Sequence, residues 1–103
     1  MKFNPVLFAK AISDDTRQKI MNICCCTSIS VNEIVEKLNV SQPTVSHHLA
    51  ILREADLVTV REEGKQTFYS LNQENIAICC GQLMIKFAPE STTTEKMQMI
   101  LKA

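Results

Sequence analysis

The chain has 103 residues, 46% of them hydrophobic but only five aromatic, and its eleven basic side chains are balanced by eleven acidic ones. That length holds one small domain with a core and little surface to spare, and no apolar run approaches the roughly 20 residues that would cross a bilayer. A formal charge of zero speaks against a partner held by net charge alone. The opening Met-Lys-Phe-Asn-Pro lacks the basic-then-apolar layout of a secretory signal. Five cysteines in two adjacent clusters suit a reducing compartment better than a disulfide framework. The expectation is a soluble, cytoplasmic protein that makes no membrane contact, with a helical, aliphatic core.

In chain order, Phe3, Val6, Leu7 and Ala11 recur at helical spacing with Pro5 suited to the first turn, which predicts a first helix over 3–12. Ser13-Asp-Asp-Thr16 supplies a cap and two acids for a second helix. Its stripe is Ile20, Ile23 and Cys24, and it is expected to end near Cys26 or Thr27. Ser30 with Glu33 forms a capping-box pattern, followed by Ile34, Val35 and Leu38 on one side of a third helix. Asn39 and Val40 leave room for a turn of about three to four residues. Ser41 then caps a fourth helix with Pro43 in its first turn and Val45, Leu49 and Leu52 as its buried stripe.

From Leu57 the period changes. Leu57-Val-Thr-Val-Arg61 and Gln66-Thr-Phe-Tyr-Ser-Leu71 are rich in β-branched and aromatic residues and flank Glu62-Glu-Gly-Lys65, which predicts a two-stranded hairpin with Gly64 at positive φ. A last long helix starts at Asn72 or Gln73, with Ile76, Cys80, Leu83 and Phe87 on one face and Ala77, Met84 and Ala88 beside it. Pro89 and the stretch from Ser91 to Thr94 break it. A short terminal helix over 93–103 is expected through Met97, Ile100 and Leu101.

The fourth helix carries the functional signal. A helix N-terminus offers unpaired backbone N–H groups and partial positive charge to phosphates, and Gln42, Thr44, Ser46 and His47 beside it can reach base edges in a DNA groove. The charge around it is mixed, with Arg53, Arg61 and Lys65 against Glu54, Asp56, Glu62 and Glu63. Weak nonspecific binding is therefore expected, with specificity leaning on helix-end amides, polar contacts and the doubled footprint of a dimer.

Asp14-Asp-Thr-Arg17, the run from Leu38 through Ser-Gln-Pro-Thr-Val-Ser-His-His-Leu to Arg53, Leu57-Val58, and the run from Gly64 to Leu71 resemble the arsenical-repressor (ArsR/SmtB) family over residues 5–88. The resemblance implies a mainly α winged helix-turn-helix domain over 1–103. It implies a homodimer through helices at 3–12 and 72–88, a helix-turn-helix over 31–54 and a wing over 57–71. It also implies a repressor that sits on a pseudo-palindromic double-stranded DNA operator and leaves it when an inducer binds. The DNA-contacting positions it assigns are Gln42, Thr44, Val45, Ser46 and His47 in the major groove, with Arg61, Lys65 and Gln66 on the wing. Val45 also lies on the core stripe, and the side chain of His48 points about 100° round the helix from His47, where it caps or packs.

The chain departs from the family's familiar ligand sets. Ser30-Val-Asn32 stands where relatives carry a thiolate pair, and Gln73, Asn75, Lys86 and Pro89 stand where relatives place zinc ligands. No constitutive cofactor is expected. Cysteine remains: Cys24, Cys25 and Cys26 close the second helix, while Cys79 and Cys80 lie near the middle of the last one, close to where two antiparallel copies of that helix would cross. These thiols suit trivalent arsenic, As(III), or another thiophilic metal ion as inducer. Oxidant or reactive-sulfur sensing through the same thiols is the alternative. Cys24 and Cys80 also fall on apolar stripes, where burial alone explains a cysteine. An enzyme is not expected, because no nucleophile, base and orienting acid converge and no phosphate loop is present. A winged-helix module for a protein partner is the competing class.

Overall fold

The computed structural model describes residues 4–102, with side chains through residue 100. The helices are α1 (Pro5–Ile12), α2 (Asp15–Ile23), α3 (Val31–Leu38), α4 (Gln42–Glu54), α5 (Gln73–Phe87) and α6 (Thr92–Lys102); the strands are β1 (Ile29–Ser30), β2 (Val58–Glu63) and β3 (Gln66–Leu71). Phe3, the Leu101 side chain and Ala103, all included in the expected terminal helices, lie outside the described residues.

Local chemistry accounts for most boundaries. Asn4 caps α1 by accepting the Leu7 amide at 2.9 Å, and Asp14 caps α2 by accepting the Arg17 amide at 2.9 Å. At α3, the Ser30 hydroxyl accepts the Glu33 amide at 3.3 Å while the Glu33 carboxylate accepts the Ser30 amide at 3.2 Å, which completes the expected capping box. Replacing Ser30 with Ala is expected to lower the unfolding free energy by about 1 kcal/mol in urea denaturation. Asn39 ends α3 in the left-handed region at φ 53°. That conformation suits an asparagine C-cap and turns the chain into α4.

Three elements differ from the sequence reading. The inner face of α1 is Phe8 and Ala11, while Val6 is 62% exposed. Val6 sits two residues, about 200° of helix rotation, from Phe8, so the two cannot share a face. Helix α2 stops at Ile23, because the Cys24 carbonyl is taken at 2.8 Å by the Leu71 amide at the end of β3. Cys24 to Cys26 are thus a turn, not a last helical turn. In α5 the deepest side chains are Asn75 and Cys79, with Ile76 and Leu83 half-buried, while Cys80 is exposed and Phe87 is 73% exposed. The inward line is one residue off the expected 76-80-83-87 stripe because Asn75, polar and unpromising as core, is accommodated by hydrogen bonds.

The expected hairpin forms, with β2 and β3 antiparallel, but Glu62 and Glu63, expected in the turn, extend β2, and Glu63 stands opposite Gln66 across a two-residue turn in which Gly64 takes φ 63°. A third short strand joins it: β1 pairs antiparallel with β3, Ile29 opposite Tyr69, for a sheet order β1-β3-β2. This ties the base of the wing to the start of α3. The core beneath is Phe8, Ala11, Ile20, Ile29, Ile34, Val45, Leu49, Leu52, Leu57 and Val58 with Cys24 and Cys79. Helix α6 packs on α5; its Thr94 is buried, and its expected stripe residues Met97 and Ile100 stay exposed.

Candidate nucleic-acid interface

Helix α4 divides cleanly. Val45, Leu49 and Leu52 are buried, whereas Gln42, Thr44, Ser46 and His47 are exposed. Val45 is fully buried, so its part is to anchor the helix and not to touch a base edge. Ser41 occupies the N-cap position with an extended backbone, but its hydroxyl donates to Thr44 Oγ1 at 2.9 Å instead of accepting an amide. The expected side-chain cap is absent, and the first turn keeps its N–H groups available to an outside acceptor.

The wing tip comes to the same end of α4. Gln42, Lys65 and Gln66 line one polar groove of about 190 Å³ together with Ser30, Asn32 and Thr67. Arg61 is committed to the wing surface, with Nη1 2.8 Å from the Glu63 carboxylate and the guanidinium 5.1 Å from the Phe68 ring centre. Both partners of that ion pair are more than half exposed, so it adds little stability and can be exchanged for a phosphate. The sequence-derived DNA residues other than Val45 therefore fall on two adjoining surfaces, the first turns of α4 and the wing.

The five cysteines separate. Cys24 is fully buried, and burial pushes its thiol up to about 11. Cys79 is buried too; burial raises its pKa, and its thiol donates to Asn75 Oδ1 at 3.8 Å. Cys26 is exposed, and Cys25 is half-buried with its pKa raised chiefly by a hydrogen bond with the Cys26 side chain. Cys25 and the exposed Cys80 line one groove of about 370 Å³ between α1, α2 and α5, with Phe8, Ile12, Met21, Leu71 and Ile76 as apolar walls and Gln18 and Asn22 as polar ones. The cysteine on the accessible side of α5 is thus Cys80, and its partner across the groove comes from the turn after α2. Among the described residues, no cluster of three or more His, Cys, Asp or Glu side chains is placed to hold a metal ion.

Hydrogen bonds connect that groove to the end of α4. Gln73 Nε2 donates to the Cys25 carbonyl at 2.6 Å, which fixes the start of α5 to the cysteine turn. On either side of Gln73, Asn75 Nδ2 donates at 2.7 Å, and Asn72 Nδ2 at 3.2 Å, to the carbonyl of Asp56. Asp56 follows the end of α4 and holds φ 59°. Sequence reasoning weighed Asn75 only as a residue unable to ligate zinc. Its role was signalled by nothing local, since it depends on where α5 crosses the α4–β2 turn. Arg17 was likewise missed as a connector: its Nε and Nη2 donate to the carbonyls of Ala11 and Lys10 at 2.7 and 3.1 Å, and its Nη1 lies 3.0 Å from His48 Nδ1.

Known proteins resemble this chain in sequence and fold. The model of a family described as bacterial regulatory protein, arsR family, matches residues 14–60. The transcriptional repressor SdpR of Bacillus subtilis is 41% identical over 63 residues, covering 61% of this chain and 70% of that protein. The arsenical resistance operon repressor of Staphylococcus xylosus is 37% identical over 65 residues, 63% of this chain and 62% of that one. The solved structure of reduced HlyU from Vibrio cholerae aligns with a TM-score of 0.65 at 32% identity, over 81% of this chain and 86% of that chain. The chain belongs to the arsR family of bacterial regulatory proteins.

Proposed function

We propose that the chain is a DNA-binding transcriptional repressor, acting as a homodimer on a pseudo-palindromic operator and released by chemistry at its cysteine thiols. The observation that carries the reading is the split of α4, a polar, uncapped first turn facing out on a helix whose other side is locked into the core. The names of the two relatives above, both repressors, support the direction of regulation. Ile78 and Ile85, two turns apart on α5, leave an apolar strip exposed in the single protomer, and Val6 of α1 is exposed as well. A second copy covers that surface and sets two recognition helices at half-sites about one DNA turn apart.

The inducer site is the groove shared by Cys25 and Cys80. Two thiols suit a soft ion that accepts two sulfur ligands, with As(III) first among the candidates given the arsenical repressor among the relatives. A second reading rests on the same pair: oxidation of the two thiols by a peroxide or a reactive sulfur donor, which takes two electrons and releases two protons as an S–S link forms. Either event pulls the cysteine turn against α5. The Gln73–Cys25 and Asn75–Asp56 bonds carry that movement to the end of α4. A differential affinity of about 1–3 kcal/mol changes operator occupancy about 5- to 150-fold.

The test is release of a fluorescent duplex, selected on the protein from a random library, while reduced protein is titrated with arsenite, mercuric, cadmium, zinc and cuprous ions and with disulfide and persulfide donors. Release by the metal series supports the first reading, and release by the sulfur donors alone supports the second. The double variant Cys25→Ser, Cys80→Ser is expected to bind the duplex as tightly as the wild type and to stop responding. An intact response in that variant contradicts the assignment of the groove.

A further inference from the structure

We propose that Arg17 and His48 are positioning residues forming a proton-sensitive lock that holds the recognition helix against α1 and α2; its effect on DNA rests on the function proposed above. The Arg17 side chain joins three elements. Its Nε and Nη2 close the end of α1 by donating to the Ala11 and Lys10 carbonyls, and its Nη1 reaches His48 in the middle of α4. Its own backbone amide is held by Asp14 at the start of α2. A movement of α1 relative to α4 must break this contact or carry it along.

The contact has a direction. A guanidinium donates only and keeps its proton, so His48 Nδ1 is the acceptor. The ring must then be neutral, with its hydrogen on Nε2. Protonation places an N–H where the acceptor was and a second positive charge 3.0 Å from Arg17. The charged groups facing His48 are Asp14 and Arg17 from α2 and His47 on its own helix; α1 presents the backbone carbonyls that Arg17 already occupies. Burial lowers the His48 pKa, the Asp14 carboxylate opposes that shift, and Arg17 and His47 add to it. The neutral ring therefore belongs to the docked state. The lock holds above the ordinary histidine value of about 6.5 and is lost as pH falls through the lower native value.

His47 is exposed on the outward surface of α4. His48 is half-buried behind it and acts only by loosening the helix.

Nitrogen-resolved NMR of the free wild-type protein tests the lock without DNA or any variant. The expected result is an Nε2–H tautomer for His48 and a midpoint below about 6.5, moving upward in Arg17→Ala. Affinity for the selected duplex, at constant ionic strength, is expected to fall about fivefold or more from about pH 8 to about pH 5.5. In His48→Asn, whose Oδ1 replaces the Nδ1 acceptor and does not titrate, that fall should vanish. An Nδ1–H tautomer, a midpoint at or above the ordinary value, or an undiminished fall in His48→Asn overturns the proposal. Absence of duplex binding at every pH, with the NMR result intact, counts against the DNA-binding reading and leaves the lock standing.

Discussion

Replacing Leu49 with Ala is expected to cost about 2–5 kcal/mol of unfolding free energy. Leu49 is 1% exposed and lies one turn beyond Val45 on the face of α4 that packs into the core beside Ile20 and Ile34. Truncation removes three carbons from a close-packed interior whose neighbours can only partly collapse into the space. Against a total of about 5–15 kcal/mol for a domain of this kind, that is a large share. The same leucine keeps the first turn of α4 at a fixed height over the core. Urea denaturation should show an earlier midpoint with an unchanged slope. A loss under about 1 kcal/mol would mean that α4 is held by its ends and not by its stripe.

Changing Gln42, Ser46 and His47 together to Ala is expected to weaken duplex binding about a hundredfold or more while leaving the melting temperature nearly unchanged. All three side chains are exposed, so their loss opens no cavity, and surface substitutions of this kind usually stay within about 0.5 kcal/mol. Each polar contact to a base edge is worth about 1–3 kcal/mol of discrimination, and a dimer makes each one twice. Lys65→Ala should act differently. It sits at the wing tip beside Gln42, and loss of one phosphate contact should weaken all duplexes alike and reduce the salt slope by about one for each copy bound. Equal effects of the triple variant on cognate and scrambled duplexes would deny α4 a reading role.

The parts of the fold set by neighbours in sequence could be read directly. The Ser30–Glu33 box, the Asn39 turn and the positive φ of Gly64 each need only a few adjacent residues, and each is present in the structure. The alternation that predicts the hairpin also survives, because β2 and β3 pair with each other. Features set by distant contacts could not be read. Strand β1 is two residues long and exists through β3, and α2 ends early because Leu71 claims the Cys24 carbonyl. Asn75 looks like surface and is buried, since the carbonyl that pairs with it is Asp56, 19 residues away. The cysteines show the same limit. The expected last turn of α2 at Cys24 to Cys26 is a non-helical turn, and a one-residue rotation of α5 exchanged the places of Cys79 and Cys80.

Wing and recognition helix act on DNA only if two copies present them at one spacing, and hydroxyl-radical footprinting of the reduced protein on its selected duplex tests this most directly. The account predicts two symmetric protected patches about one helical turn apart, both lost in the Gln42, Ser46 and His47 triple variant. A single patch, or no protected duplex at any salt concentration, would contradict it.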